Sequence, residues 1–164
     1  MRAERRLAVL GEIGWNSLSG VGANLIYHMT PHFSGDLGAG VSATGWKLGL
    51  RGRYNLLKSP WTPFVGIGFM TTSGFGNAPQ NITFDDVNEF AIRVKPSYFA
   101  QAVLGLDYTS PRGFTMVATA GYAWVMNENV EVVSGTPSEQ DKEYLEIIFG
   151  SSVVVSLAFG YTFK

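Results

Sequence analysis

The stretch Phe149-Gly-Ser-Ser-Val-Val-Val-Ser-Leu-Ala-Phe-Gly-Tyr-Thr-Phe163 decides the fold. Phe149, Val153, Val155, Leu157, Phe159, Tyr161 and Phe163 share one parity, broken only by Ser151, while Gly150, Ser152, Ser156, Ala158, Gly160 and Thr162 take the other together with Val154. Side chains alternate between the two faces of a strand, so this segment reads as a strand with one large apolar face and one small or polar face.

The same two-face pattern recurs upstream, and helical periodicity is hard to find. Phe114, Met116, Ala118, Ala120, Tyr122 and Trp124 alternate with Thr115, Thr119 and Gly121; Tyr98, Ala100, Ala102, Leu104, Leu106 and Tyr108 alternate with Gln101, Gly105 and Asp107. Further segments centre on Val65-Gly-Ile-Gly-Phe69, Trp46 to Leu56, Leu37 to Val41, Val21 to Tyr27 and Leu7 to Trp15. That makes about eight strands, the even number of a single-chain bacterial barrel. Thr30-Pro31-His32, Lys58 to Pro63 and Ser110-Pro111-Arg112-Gly113 read as compact proline turns. Between them fall two tight links, near Leu18 to Gly20 and at Thr44-Gly45, and two long polar loops, near 72–93 and 128–146.

Composition narrows the class. The chain has 164 residues, a net charge of -1, no cysteine, 20 glycines and only 15% charged residues, with 11 Phe, 7 Tyr and 4 Trp. Its length suits one domain over 1–164. The charge balance removes the basic footprint that nucleic-acid binding requires, and no apolar run approaches the 18 or more residues of a membrane helix. The basic start, Met1 to Arg6, is followed by an apolar run from Leu7 to Leu10 that is too short for a signal peptide, so any export signal is expected to lie outside these residues.

Charge also tells which face is inside. The six strand charges, Glu12, Asp36, Lys47, Arg51, Arg53 and Asp107, all fall on the small or polar parity. A charge facing the bilayer midplane costs roughly 2 to 4 kcal/mol for Arg or Lys, and that parity alone is too poor in charge to be a soluble surface. The expected architecture is therefore all-β: an up-and-down antiparallel transmembrane β-barrel with its apolar face outward. Tyr98 to Tyr108 is ten residues, which at about 3.3 Å per residue and a tilt of about 40° rises roughly 25 Å, the height of an outer-membrane apolar band. One aromatic girdle is expected to hold Trp15, Trp46, Phe69, Tyr98, Tyr122, Trp124 and Phe149. The other is expected to hold Tyr27, Phe33, Tyr54, Trp61, Tyr108, Phe114, Tyr161 and Phe163.

The segments Trp61-Thr-Pro-Phe-Val-Gly-Ile-Gly-Phe69 and Leu157-Ala-Phe-Gly-Tyr-Thr-Phe163 resemble the small eight-stranded bacterial outer-membrane barrels, among them the OmpA transmembrane domain and the OmpX-type and OmpW-type proteins. The resemblance implies an architecture and a place in the bacterial outer membrane, with lipid bilayer and lipopolysaccharide as surroundings. It implies no activity.

The expected role is structural or surface-interacting, with an extracellular or envelope protein as a partner for the long loops. The lumen cluster is expected to be a filling of paired charges, with a gate, and hence a porin-like small-solute channel, as the alternative. An outer-leaflet lipid-modifying enzyme would need a nucleophile and base near that leaflet, whereas His28 and His32 lie by the proline turns, so no catalytic residue is assigned. Those two histidines straddle a turn and are not expected to share a metal. Gly38-Ala-Gly40 and Gly66-Ile-Gly68 do not continue into phosphate loops, and no cofactor is expected. Glu128, Glu131, Glu139, Asp141, Glu143 and Glu146 against Lys142 make the second loop acidic, a solvated surface or a seat for divalent cations or a basic partner.

Overall fold

The computed structural model describes residues 5–74, 80–83, 89–127, 130–134 and 150–163. These residues form eleven strands: β1 (Leu7–Trp15), β2 (Val21–His28), β3 (Phe33–Ser42), β4 (Gly45–Asn55), β5 (Trp61–Thr72), β6 (Gln80–Thr83), β7 (Glu89–Val94), β8 (Ser97–Thr109), β9 (Phe114–Val125), β10 (Val130–Ser134) and β11 (Ser152–Phe163). Eight of them close a barrel in the order β1-β2-β3-β4-β5-β8-β9-β11 and back to β1. Each neighbouring pair is antiparallel, and the seam is closed by β1 against β11, from Leu7 opposite Phe163 to Trp15 opposite Val155. Closure leaves the barrel no unpaired strand edge.

Strict alternation sets which residues face out. Ile13, Trp46, Leu48, Leu50, Ile67, Phe69 and Leu104 are more than half exposed, while the six strand charges are nearly or fully buried. Among the described residues, the outward positions of the eight barrel strands carry no charge, and Thr71 is their one aliphatic hydroxyl. The usual partition of a globular protein is thus inverted: leucine, isoleucine and tryptophan outside, lysine and arginine inside.

The interior is not wholly polar. Ala8, Leu10, Ile26, Phe64, Met70, Phe99, Val103, Val117 and Val154 occupy inward positions and are buried. Apolar side chains and glycines share the lumen with the charges, as expected where eight strands leave room only for side chains.

The barrel's two ends differ. At one, the turn end, lie the compact connections 29–32, 56–60 and 110–113. At the other lie the short links 16–20 and 43–44 and two excursions, 73–96 and 126–151. The excursions correspond to the stretches read from sequence as long polar loops, and they are not without regular structure. They contribute β6, β7 and β10 to a separate sheet in the order β10-β7-β6, with Val130 opposite Val94 and Gln80 opposite Ile92. Single-chain patterning hid it because each strand has only four to six residues, and β7 meets β10 across a long stretch of chain.

Candidate functional site

Near the turn end, alternation on β4 aims Arg51 and Arg53 into the lumen two residues apart, and pairing with β3 sets Asp36 directly opposite Arg51. Asp36 accepts from both. Its Oδ2 takes the Nε of Arg51 at 2.9 Å and the Nη2 at 2.8 Å, and its Oδ1 takes the Nε of Arg53 at 2.9 Å. Arg53 reaches past β5 to Asp107 on β8 at 3.4 Å, while the Thr109 hydroxyl donates to the other Asp107 oxygen at 3.3 Å. The Arg53 guanidinium also lies 4.7 Å from the centroid of the Phe64 ring. Gly66 and Gly68 face Arg53 and Arg51 across the β4–β5 pairing, so the long side chains cross space that larger residues would fill.

The lumen layer near the opposite end is built differently. The link 16–20 turns into the barrel, and Ser17, Leu18 and Ser19 are fully buried. Two residues with positive φ bracket this inward fold, Asn16 at 47° and Gly20 at 71°, a conformation that glycine adopts freely and asparagine tolerates. Leu18 lies against the paired glycines Gly38 and Gly49 on the inner wall. A β-carbon at Gly49 would sit 2.5 Å from Leu18 Cδ1, and one at Gly38 would sit 2.9 Å from its Cγ. Glu12 ties the link down: one carboxylate oxygen accepts from the Ser19 amide at 2.9 Å and the Ser19 hydroxyl at 2.6 Å, and the other accepts from Ser156 at 2.9 Å.

Lys47 shares this layer. Its Nζ stands 5.7 Å from the Phe99 ring centroid and feels the Glu12 carboxylate electrostatically. Among the described residues it makes no ion pair within 4 Å. The six charges read from sequence thus form a connected network of four and a separate Glu12 and Lys47, not one cluster.

Several residues of the lumen were not singled out from sequence. Ser17, Leu18 and Ser19 sit in a link that reads as a tight turn, and only the glycines at 38 and 49 hint that something must press against that wall. Phe64 and Phe99 stand on the inward parity but carry the residue type expected outside. Gln101 is buried beside Gly68, and among the described residues both its amide atoms, Arg51 Nη1 and Arg53 Nη2 have no hydrogen-bond partner.

The aromatic sets lie on the outer wall at opposite ends. Trp15, Trp46, Phe69, Tyr98, Tyr122 and Trp124 are exposed toward the excursion end; Tyr27, Phe33, Tyr54, Trp61, Phe114, Tyr161 and Phe163 are exposed toward the turn end. Tyr108 is half-buried because Trp61 packs on it, ring centroids 4.4 Å apart. Phe149 lies outside the described residues, as do the side chains of the acidic 128–146 stretch and of the 80–83 segment.

His28 faces inward, with its Nδ1 2.7 Å from the Ser34 hydroxyl; His32 lies on the turn, its Nδ1 2.7 Å from the Asn55 carbonyl and its ring stacked on Tyr54. Among the described residues no group of three or more His, Asp or Glu side chains is placed to hold a metal. Neither a protein-family model nor a curated protein sequence matches the chain.

Proposed function

We propose that the chain is an integral barrel of the bacterial outer membrane with a closed lumen and a structural or surface-interaction role. One observation carries this reading: an uncharged wall of aliphatic residues with aromatic rings at both ends surrounds a buried interior holding three acids and three bases. In water such a wall would be a continuous exposed apolar surface, far beyond the patches that soluble monomers tolerate. In a bilayer it is the favourable face, and the rings fall where interfacial belts form. Lipid and lipopolysaccharide are then the surroundings, and the excursions, on the exterior in this orientation, offer the surface for an extracellular or envelope partner.

Two layers support the closed lumen. The network of Asp36, Arg51, Arg53 and Asp107 joins β3, β4 and β8 inside one end, and Leu18 with its serines is buried inside the other. The porin-like alternative draws on the unpartnered amide of Gln101 and the outer nitrogens of Arg51 and Arg53. Refolding into neutral phosphatidylcholine vesicles should give the heat-modifiable gel mobility of a barrel, and planar-bilayer recording of the same protein should give no steady conductance. A stable, detergent-free soluble monomer would overturn the membrane reading, and steady nanosiemens currents would replace the closed lumen with a channel.

A further inference from the structure

Outside the lumen, the described charged residues of the turn end are all of one sign. Among the described residues the turn end carries Arg5, Arg6, Lys58 and Arg112 and no Asp or Glu. The two excursions at the other end carry nine acids against three cations in their sequence. Since the lumen balances and the wall is uncharged, the described residues of the turn end make a basic rim.

The basic rim is built on neighbouring strand ends. The turns 56–60 and 110–113 are joined by the Thr109 amide, which donates to the Pro60 carbonyl at 3.0 Å. Arg5 lies against the second turn, donating to the Thr162 carbonyl at 2.9 Å and the Pro111 carbonyl at 3.3 Å, and the Tyr161 hydroxyl donates to the Arg112 carbonyl. Lys58 and Arg112 are exposed. Trp61 and Tyr108 are paired at the adjoining ends of β5 and β8, next to the turns that carry these cations.

Toward the bilayer from this rim the outer wall carries an apolar groove of about 490 Å³, lined by Met29, Phe33, Gly52, Tyr54, Ile67 and Ala102 among others. It exists because small residues take outward positions there: Gly52 is opposite Gly35 on one side and Ile67 on the other, and Ile67 is opposite Ala102. A β-carbon at Gly52 would meet nothing within 4 Å.

We propose that the turn end is a recognition surface for an anionic glycerophospholipid, with its phosphate at the Lys58 and Arg112 rim and one acyl chain in the groove at Gly52. This rests on the membrane reading above. Cations near an anionic lipid surface attract it, each by roughly a fivefold gain in association, and nothing acidic among the described residues of the rim opposes them.

The test uses the full chain with Trp15, Trp46 and Trp124 replaced by phenylalanine, leaving Trp61 as the reporter beside the rim. In phosphatidylcholine vesicles, phosphatidylglycerol with brominated chains should quench Trp61 with a relative association about fivefold or more above brominated phosphatidylcholine. The double variant Lys58→Gln, Arg112→Gln should bring that ratio close to one. Gly52→Leu, which fills open space, should lower quenching by brominated chains under either headgroup. Equal quenching in the parent, a preference that survives the double variant, or a stronger preference for lipid A would overturn the proposal. A parent that inserts with heat-modifiable mobility but shows no preference leaves the membrane reading standing and removes only the lipid site. Failure to insert removes both.

Discussion

In the lumen layer near the turn end, two carboxylates meet two guanidiniums directly, whereas in the layer near the excursions Glu12 is held by hydroxyls and a backbone amide and Lys47 stands over a ring. Both layers bury ionic groups in the same narrow barrel. The first compensates each charge with an opposite one; the second compensates an anion with dipoles and fills the remaining space with Leu18. An ion network depends on every member, so its failure under substitution is abrupt. A layer built of hydrogen bonds and packing loses stability in smaller steps.

The largest effect should follow from Asp36→Ala. Asp36 is shared, so its removal leaves Arg51 buried without a carboxylate and Arg53 with only the longer contact to Asp107. Breaking such a buried pair costs roughly 3 to 5 kcal/mol. Urea unfolding of the vesicle-inserted barrel, followed by gel mobility, should show a corresponding loss or failure to refold. A midpoint within experimental error of the parent would mean that the network contributes nothing to stability.

Next in size is Leu18→Ala, which leaves a cavity against Gly38 and Gly49 at a cost of roughly 2 to 4 kcal/mol. Its conductance separates the layers further. Alone it should leave the barrel closed, because the Arg51 and Arg53 layer still occupies the lumen, and Arg51→Ala with Arg53→Ala should also stay closed behind Leu18. Combining all three should produce measurable current. Current from either set alone would show that one layer, not two, closes the barrel.

The barrel was legible in the sequence because strand alternation is a local signal repeated eight times, and because six charges on one parity admit only one face as the interior. The same signal puts Arg51 and Arg53, two apart, on one face, but which acids meet them depends on strand pairing and does not follow from it. The inward fold of 16–20 was not legible. A five-residue connection carries no periodicity, and its place in the lumen depends on space left by Gly38 and Gly49, which are adjacent only through the β3–β4 pairing. Phe64 and Phe99 eluded the parity argument in another way, since an aromatic residue facing inward looks like an error of register until Arg53 and Lys47 are found beside it.

A smaller effect is expected from Ser19→Ala. It removes the hydroxyl donor to Glu12 but keeps the amide of the same residue and the Ser156 hydroxyl on the carboxylate. A hydrogen bond to a charged group contributes roughly 1.5 to 3 kcal/mol, and the two surviving donors place the loss at the low end. The urea midpoint should fall by less than it does for Leu18→Ala. A drop as large as that for Asp36→Ala would mean that Glu12 belongs to an ionic layer after all.

The smallest effect should come from Lys47→Met, although lysine is the more strongly hydrated kind of cation and its burial is costly. Methionine keeps an unbranched apolar side chain one atom shorter than lysine's and can still pack its sulfur against Phe99. What is lost is the attraction between the ammonium and the ring, roughly 1 to 2 kcal/mol when desolvated, and the longer-range attraction to Glu12. What is gained is relief from holding an ammonium in the lumen with no carboxylate in contact among the described residues, a penalty of similar size and opposite sign. The two nearly cancel, so the unfolding midpoint should move by less than about 1 kcal/mol in either direction. Pairing the change with Glu12→Gln completes a double-mutant cycle whose coupling should be below about 1 kcal/mol, because the two groups interact without touching. A coupling of 3 kcal/mol or more would show that Glu12 and Lys47 form a direct pair, and the contrast between an ionic layer and a hydrogen-bonded one would collapse.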